Sequence, residues 1–302
     1  MRLTLTALLL LTATPALAQH RPSQAQVATI EHGLRPQSGD IALPQAGATL
    51  HLGKDFYFLD AAQARQVLTE LWGNPPSTAD GVLGLVMPAG KSVMDETWGA
   101  VVTFQDSGYV TDDDASTADY DKILTQLREG EAEENEQRRA QGYPGMHLMG
   151  WAQPPSYDRA THAVIWARDL KIDGASADSL NYDVRVLGRK GVLSLNMLWD
   201  MPHLAEVRTA AATFGRTAQF TSGQAYTDFD EAKGDKRAGY GLAGLVAAGV
   251  GVVAAKKLGL IALALGFGKK FLVLFAIAGA AISRFFKKLF GKKDEGRDAA
   301  SS

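Results

Sequence analysis

Alternation of apolar and polar residues divides the middle of the chain into short strands separated by turns. Short apolar or alternating runs predict strands at "TLHLGKDFYFLD", "GVLGLVMP", "WGAVVTFQ" and "HAVIWARDL". The runs "NYDVRVL" and "VLSLNML", joined by residues 188–191, predict a hairpin. Because the strands follow one another with few intervening helices, the pattern predicts an α+β fold with a mainly antiparallel sheet.

Helical spacing of apolar residues predicts three further elements. In "DAAQARQVLTELWGNPP", Asp60 is placed to cap a helix that ends at Gly73 before two prolines. The segment "STADYDKILTQLREGEAEENEQRRAQG" predicts one long helix or two short ones, with Ser116 and Asp119 resembling a capping box. A third helix is predicted at about residues 202–214.

The first eighteen residues have the pattern of a secretory signal peptide. Arg2 is followed by an apolar run, and Ala16 and Ala18 provide the small residues that precede cleavage. The sequence therefore predicts an exported protein. Residues 19–48 show little periodicity and predict a flexible lead to an exported, periplasmic α+β domain at 49–238.

The last part of the chain predicts a membrane-anchoring region at 239–283 and a basic, cytoplasmic tail at 284–302. Three apolar blocks, at 239–255, 258–268 and 271–282, are separated by lysine pairs. A single crossing by the first block leaves all ten bases of residues 239–302 on the cytoplasmic side, as the positive-inside rule favours. A hairpin with a second span at 258–282 is the alternative. The glycines of the first block form a small-residue face that predicts homo-oligomer contacts.

Composition narrows the classes of function. The chain contains no cysteine, which excludes disulfides, thiol nucleophiles and thiolate metal sites. Residues 19–238 carry 30 acids and 20 bases. This acidic body argues against a nucleic-acid partner, because phosphate backbones are bound by clustered lysine and arginine. No cofactor is predicted.

The stretch "GYVTDDDAS" is the main candidate site. Asp112, Asp113 and Asp114 precede a predicted helix, where carboxylates complement the helix dipole and accept hydrogen bonds from free amides. A divalent cation bound by Asp112 and Asp114 is the weaker interpretation. A calcium-binding loop is excluded, since Thr117 and Ile123 replace its glycine and glutamate.

A second candidate is an aromatic platform for a sugar or a peptide. Tyr109, Tyr143, Trp151 and Tyr157 lie in or beside predicted loops, and Asp158 follows the last of them. The alternative is that these rings lie at the rim of the core with their polar ends exposed. His162 is predicted to be a half-buried structural residue on a strand.

Four segments in order carry a resemblance to a family. The segments "GAVVTFQDSGYVTDDDA", "GYPGMHLMGWAQPPSYD", "NYDVRVLGRKGVLSLN" and "YTDFDEAKGDKRAGYGLAGLVAAGVGVVAAK" resemble the signature blocks of bacterial membrane-anchored proteins of unknown function. The similarity extends from about Leu50 to Gly268, with a departure at Ser156, where histidine is expected. The resemblance implies a signal-bearing, C-terminally anchored envelope protein and implies no activity.

Three functions remain open from the sequence. The first is a non-enzymatic binding module in the bacterial inner membrane, with its main domain in the periplasm. Its partners would be the lipid bilayer and an envelope protein or cell-wall component, contacted through loops at 106–116 and 143–158. The second is a carboxylate- or metal-dependent periplasmic hydrolase that uses the aspartate run. The third is an oligomeric membrane-active protein that acts through the glycine-rich span.

Overall fold

The computed structural model describes residues 22–248. The predicted signal peptide, residues 249–283 of the predicted anchoring region and the basic tail lie outside the described residues. No helix within residues 22–248 combines the length and the apolar character that a membrane crossing requires.

The described chain has the predicted α+β fold with mainly antiparallel sheets, and it contains five α-helices where three were predicted within the domain. The helices are α1 (Gln24–Gly33), α2 (Ala61–Gln66), α3 (Tyr120–Ala140), α4 (Leu204–Phe214) and α5 (Leu242–Ala248). The strands are β1 (Asp40–Leu43), β2 (Ala48–His51), β3 (Phe56–Asp60), β4 (Val82–Pro88), β5 (Gly99–Gln105), β6 (Tyr109–Thr111), β7 (Met146–Asp158), β8 (Ala163–Ile172), β9 (Ser179–Leu187), β10 (Val192–Asp200), β11 (Ala218–Phe220) and β12 (Arg237–Gly241).

A seven-stranded sheet forms the centre, in the order β3-β4-β5-β10-β9-β8-β7. All its pairs are antiparallel. The predicted hairpin is confirmed, with β9 and β10 in register from the Leu187–Val192 pair to the Ser179–Asp200 pair. A three-stranded sheet, β1-β2-β11, and α4 pack on one face, where Leu50, Leu195 and Phe214 are fully buried.

Helices cover the two ends of the other face. At one end, α2 and the turn of π-helix that follows it bury Ala64, Val67 and Leu71 against β3 and β4. At the other end, α3 and α5 enclose a second apolar cluster that includes Trp166 of β8 and Leu187 of β9. The central strands between these two helical layers are the part of this face with the fewest apolar residues.

The caps of the two predicted helices follow from local hydrogen bonds. The Gln63 amide donates to Asp60 Oδ1 at 3.0 Å, as predicted, and this bond lowers the pKa of Asp60. The segment after the aspartate run forms one helix, α3. Its N-cap is Asp119 itself, which accepts from the Lys122 amide at 2.9 Å, so the predicted capping box at Ser116 does not form.

Within residues 19–48, the segment predicted to be a flexible lead, the described part forms α1 and β1. Ser23 caps α1 through the Gln26 amide, and Ile30 of α1 is buried beside the α2 layer. The strand β1 then pairs with β2 and buries Ile41 and Leu43. The segments are too short for a clear period, so their order comes from tertiary contacts rather than from local pattern.

Residues 146–158, which predict a loop, form the long edge strand β7. Proline and register shifts along this strand break its alternation and conceal it from pattern analysis. Side chains of α3 cover its free edge. The Asn135 side chain bonds both the amide and the carbonyl of Met146, at 2.7 and 2.8 Å, and Arg128 donates to the carbonyls of Leu148 and Met149. This arrangement blocks the edge against pairing with another strand.

Candidate functional site

A short parallel pair of strands brings the aspartate run beside the last described helix. The strand β6 pairs with β12, so that Tyr109 lies opposite Arg237 and Thr111 opposite Gly241. The aspartates leave the end of β6 where α5 begins. Segments separated by about 130 residues therefore meet at one place.

Asp114 caps α5. Its carboxylate accepts hydrogen bonds from the amides of Leu242, at 2.8 Å, and Ala243, at 3.0 Å. The two oxygens thus satisfy two of the free amides in the first turn of the helix and add a favourable charge there. The capping role predicted for the aspartate run is present, but it serves a distant helix rather than the helix that follows in sequence.

The backbone of Gly241 makes this contact possible. A Cβ atom at this position would lie 2.7 Å from Asp114 Oδ1, closer than carbon and oxygen can approach without displacement. Similarly, a Cβ at Gly244 would lie 2.5 Å from Cβ of Tyr240. These two glycines of the predicted oligomer face are therefore used in contacts within the domain.

The other two aspartates have different partners. Asp113 is exposed and accepts from the Thr111 hydroxyl at 2.5 Å, within its own turn. Asp112 is half-buried and accepts from the Tyr226 hydroxyl at 3.2 Å. The three carboxylates therefore diverge, and among residues 22–248 no group of three or more histidines or acids is placed to hold a metal ion.

Four rings form a continuous stack next to Asp112. Tyr226 lies between His162, at 4.3 Å between ring centroids, and Tyr109, at 4.5 Å. Phe229 extends the stack from Tyr109 at 4.1 Å, and the Arg237 guanidinium lies 5.1 Å from the Phe229 centroid. Such stacking and cation–π contacts stabilise the junction by more than the area they bury.

Tyrosine hydroxyls link this stack to Asp112. The Tyr157 hydroxyl lies 3.0 Å from His162 Nδ1. Burial is the main reason that the pKa of Tyr157 is raised, and hydrogen bonding with Asp112 adds to the effect. Burial likewise raises the pKa of Tyr226. Both hydroxyls are therefore protonated at neutral pH and serve as donors to Asp112 and its neighbours rather than as bases.

The remaining candidates from the sequence lie apart from this cluster or in turns. Trp151 is on β7 and donates from Nε1 to the Tyr120 carbonyl at 3.2 Å, as a residue at the rim of the core. Asp158 closes the turn after β7 through the Ala160 amide and the Thr161 hydroxyl, and these bonds lower its pKa. Tyr143 lies at the far end of α3. Of the predicted platform, Tyr109 and Tyr157 lie beside the same residue, Tyr226.

Two residues of the cluster, Tyr226 and Phe229, were missed by sequence reasoning, and a third, His162, was expected to be half-buried but was assigned to the wrong element. Tyr226 and Phe229 lie in a turn-rich segment, and only their presence in the fourth signature block marked them. His162 lies in the turn before β8 and not on the strand, at a φ of +50°, the only positive value for a non-glycine residue in the described chain. This backbone conformation is held by the stack and by the bond from the Leu187 amide to its carbonyl.

Comparison with known proteins gives a family and a distant structural likeness. Residues 35–280 match the model of a family described as "Protein of unknown function (DUF2167)". No protein of curated function shows significant sequence similarity to the chain. Among solved structures, the chain is similar to the solution structure of cyanobacterial PsbP (CyanoP) from Synechocystis sp. PCC 6803, with 9% identity. That match covers 62% of this chain and 92% of the other at a TM-score of 0.35, which is too low to support an argument.

Proposed function

The chain belongs to the DUF2167 family, and from this premise we propose that it is an exported, membrane-tethered binding module of the bacterial envelope. One observation carries the proposal. The helix α5, which leads directly into the apolar and basic end of the chain, is built into the core and capped by Asp114. A domain joined in this way is held at a fixed orientation close to its tether.

The position of α5 changes which residues supply the crossing. Residues 242–248 are used in the domain, so seven residues of the first apolar block remain. Seven helical residues extend about 10 Å, a third of the roughly 30 Å hydrocarbon core. We therefore place the crossing within residues 249–282, with the basic tail in the cytoplasm and the domain in the periplasm of the inner membrane. The lipid bilayer is then the first partner.

Membrane extraction tests the tether. We expect the full chain to stay in the membrane pellet after alkaline carbonate treatment, and a chain that ends at Ala248 to be recovered in the soluble periplasmic fraction. Protease added to spheroplasts should digest the domain and spare an epitope at Ser302. The proposal fails if the full chain is released by carbonate, or if the epitope is digested in intact spheroplasts.

The alternative is a carboxylate-dependent hydrolase, for which the approach of Asp112, Tyr157 and His162 is the favouring observation. The two protonated tyrosines and the stacked imidazole instead indicate a junction that fixes the aspartate run. Substitution of the aspartates tests whether they have this structural role. Asp114→Ala should lower the free energy of unfolding by about 1 kcal/mol through loss of the cap. Asp113→Asn, at an exposed neighbouring carboxylate, is the matched control and should change it by less than about 0.5 kcal/mol.

Thermal unfolding of the full chain with millimolar magnesium, calcium, manganese or zinc completes this test. We expect no stabilisation by any of these ions. A ligand at one hundred times its dissociation constant adds about 2.7 kcal/mol, which is readily measured. Stabilisation that disappears in Asp112→Asn would favour the hydrolase and contradict the structural role.

A further inference from the structure

The central strands carry polar side chains on the face that the helices cover only at its ends. Pairing places Thr103, Ser194 and Arg185 in one row across β5, β10 and β9. The next rows contain the pairs Asn196–Asp183 and Asn181–Arg168. We refer to five of these residues as the polar strip: Thr103, Asn181, Arg185, Ser194 and Asn196. Central strands of a sheet covered on both faces are ordinarily apolar.

The strip is the floor of a groove. On one side, α2 packs on β4, and on the other, α3 packs on β7 and α5 joins its cluster. Between them, Thr103 and Asn196 remain partly exposed, although β5 and β10 are the third and fourth of seven strands. The groove therefore leaves Thr103 and Asn196 of the strip accessible to solvent or to a ligand.

Hydrogen-bonding groups of the strip are left for a ligand, and most of them are donors. Ser194 as a whole is 3% exposed, and its hydroxyl has no hydrogen-bond partner among residues 22–248. Arg185 uses Nε and Nη2 on Asp183 Oδ1, at 3.2 and 2.8 Å, which leaves Nη1. The other oxygen of Asp183 accepts from Arg168 at 3.4 Å. Because the carboxylate is fully engaged, the groups that remain favour a ligand rich in acceptors.

The charged side chains on these strands also favour an anionic ligand. Arg168 and Arg185 share the single carboxylate of Asp183. The other acid that interacts with Arg168 is Glu134 of α3. Glu134 also interacts with Arg138, and burial raises the pKa of the Glu134 carboxyl. The buried group formed by Arg168, Asp183 and Arg185 by itself carries one net positive charge within an acidic domain, and an anion would be attracted to it.

A cavity of about 280 Å³ lies next to the strip, where β10 ends. Its lining is mainly apolar, from Trp72, Val93, Met94, Leu198 and Trp199, with Thr97 and one acid, Asp95. Leu198 belongs to the same sheet face and lies two residues from Asn196 on β10. Met94 is 45% exposed, so the cavity opens to the surface. This volume suits a ring or a short chain rather than a large ligand.

We propose that the polar strip and this cavity form a binding site for a small organic anion with a carboxylate or phosphate head and an apolar or aromatic body. The head accepts hydrogen bonds from Arg185 and Asn196, and the body packs between Trp72 and Leu198. This assignment rests on the proposed function as a binding module, because it names the class of ligand that the module takes.

The test uses the full chain in nonionic detergent, with tryptophan fluorescence as the readout, because Trp72 and Trp199 line the cavity. Phenylacetate and phenyl phosphate are titrated separately, and phenylacetamide is the neutral analogue. We expect saturable binding of at least one anion, at least tenfold tighter than the amide. The better of the two anions identifies the head as carboxylate or phosphate.

Two variants locate the site. Asn196→Asp places a negative charge in the strip and should weaken anion binding at least tenfold. Gln219→Glu makes the same change at an exposed position on β11 and should leave binding within about twofold. If Asn196→Asp does not fold, Asn196→Ala removes one donor and should weaken binding about tenfold. Equal effects of the two charge variants, equal binding of the amide, or no saturable binding of either anion would overturn the assignment. Membrane extraction is unaffected by these outcomes, so failure of the site and failure of the tether are distinguishable.

Discussion

A chain that ends at Ala238 should not fold cooperatively, whereas a chain that ends at Ala248 should. The difference is residues 239–248, which are the last three residues of β12 and the whole of α5. Leu242, Leu245 and Val246 are at most 1% exposed and belong to the second apolar cluster. Loss of a single large buried side chain costs about 2–5 kcal/mol. The loss of all three side chains is therefore comparable to a typical domain stability of about 5–15 kcal/mol. Urea unfolding followed by circular dichroism measures the difference.

A point substitution in the full chain provides the control for this truncation. Leu245→Ala should lower the free energy of unfolding by about 2–5 kcal/mol, because the side chain lies between α3 and the sheet. Met149→Ala, at a methionine that is 46% exposed, should change it by less than about 1 kcal/mol. A chain ending at Ala238 that unfolds with the same midpoint as one ending at Ala248 would contradict the placement of α5 in the core.

Sequence patterns predicted the elements whose signals are local. The β9–β10 hairpin has alternating runs and a short turn, and α2 has both its cap and its apolar face within twelve residues. The strand β7 was missed because register shifts break its alternation and because side chains of α3, not a neighbouring strand, bind its outer edge. Local pattern carries no information about such a partner.

The same distinction applies to the candidate site. The aspartate run predicted carboxylates near a helix start, but the choice between α3 and α5 depends on the pairing of β6 with β12. The apolar block that begins at residue 239 predicted a membrane crossing, although its first part forms the buried helix α5. A buried helix and a spanning helix share the same composition, so the sequence pattern does not distinguish them. The polar strip lies within predicted strands. Its residues become noticeable only when the register shows that Ser194, Asn196 and Asp183 share one face.

Asp183→Ala should be the most destabilising single substitution of a charged residue in the described domain. The side chain is fully buried and accepts from Arg168 and from two nitrogens of Arg185. Its removal leaves the buried Arg168 guanidinium without that partner. Breaking a buried ion pair in this way costs about 3–5 kcal/mol. Chemical unfolding of the variant, compared with the unaltered chain, measures the loss.

The matched control is Asp173→Ala, because Asp173 also faces an arginine, Arg139, at 3.8 Å, but both side chains are at least half exposed. We expect a loss of about 1 kcal/mol or less there, since water screens the pair. The triple variant Asp183→Leu with Arg168→Met and Arg185→Met should recover most of the stability lost in Asp183→Ala, because apolar replacement removes all three buried charges together. If Asp183→Ala and Asp173→Ala were equally stable, the charges on the strip would be solvated, and the excess positive charge that favours an anion there would lose its physical basis.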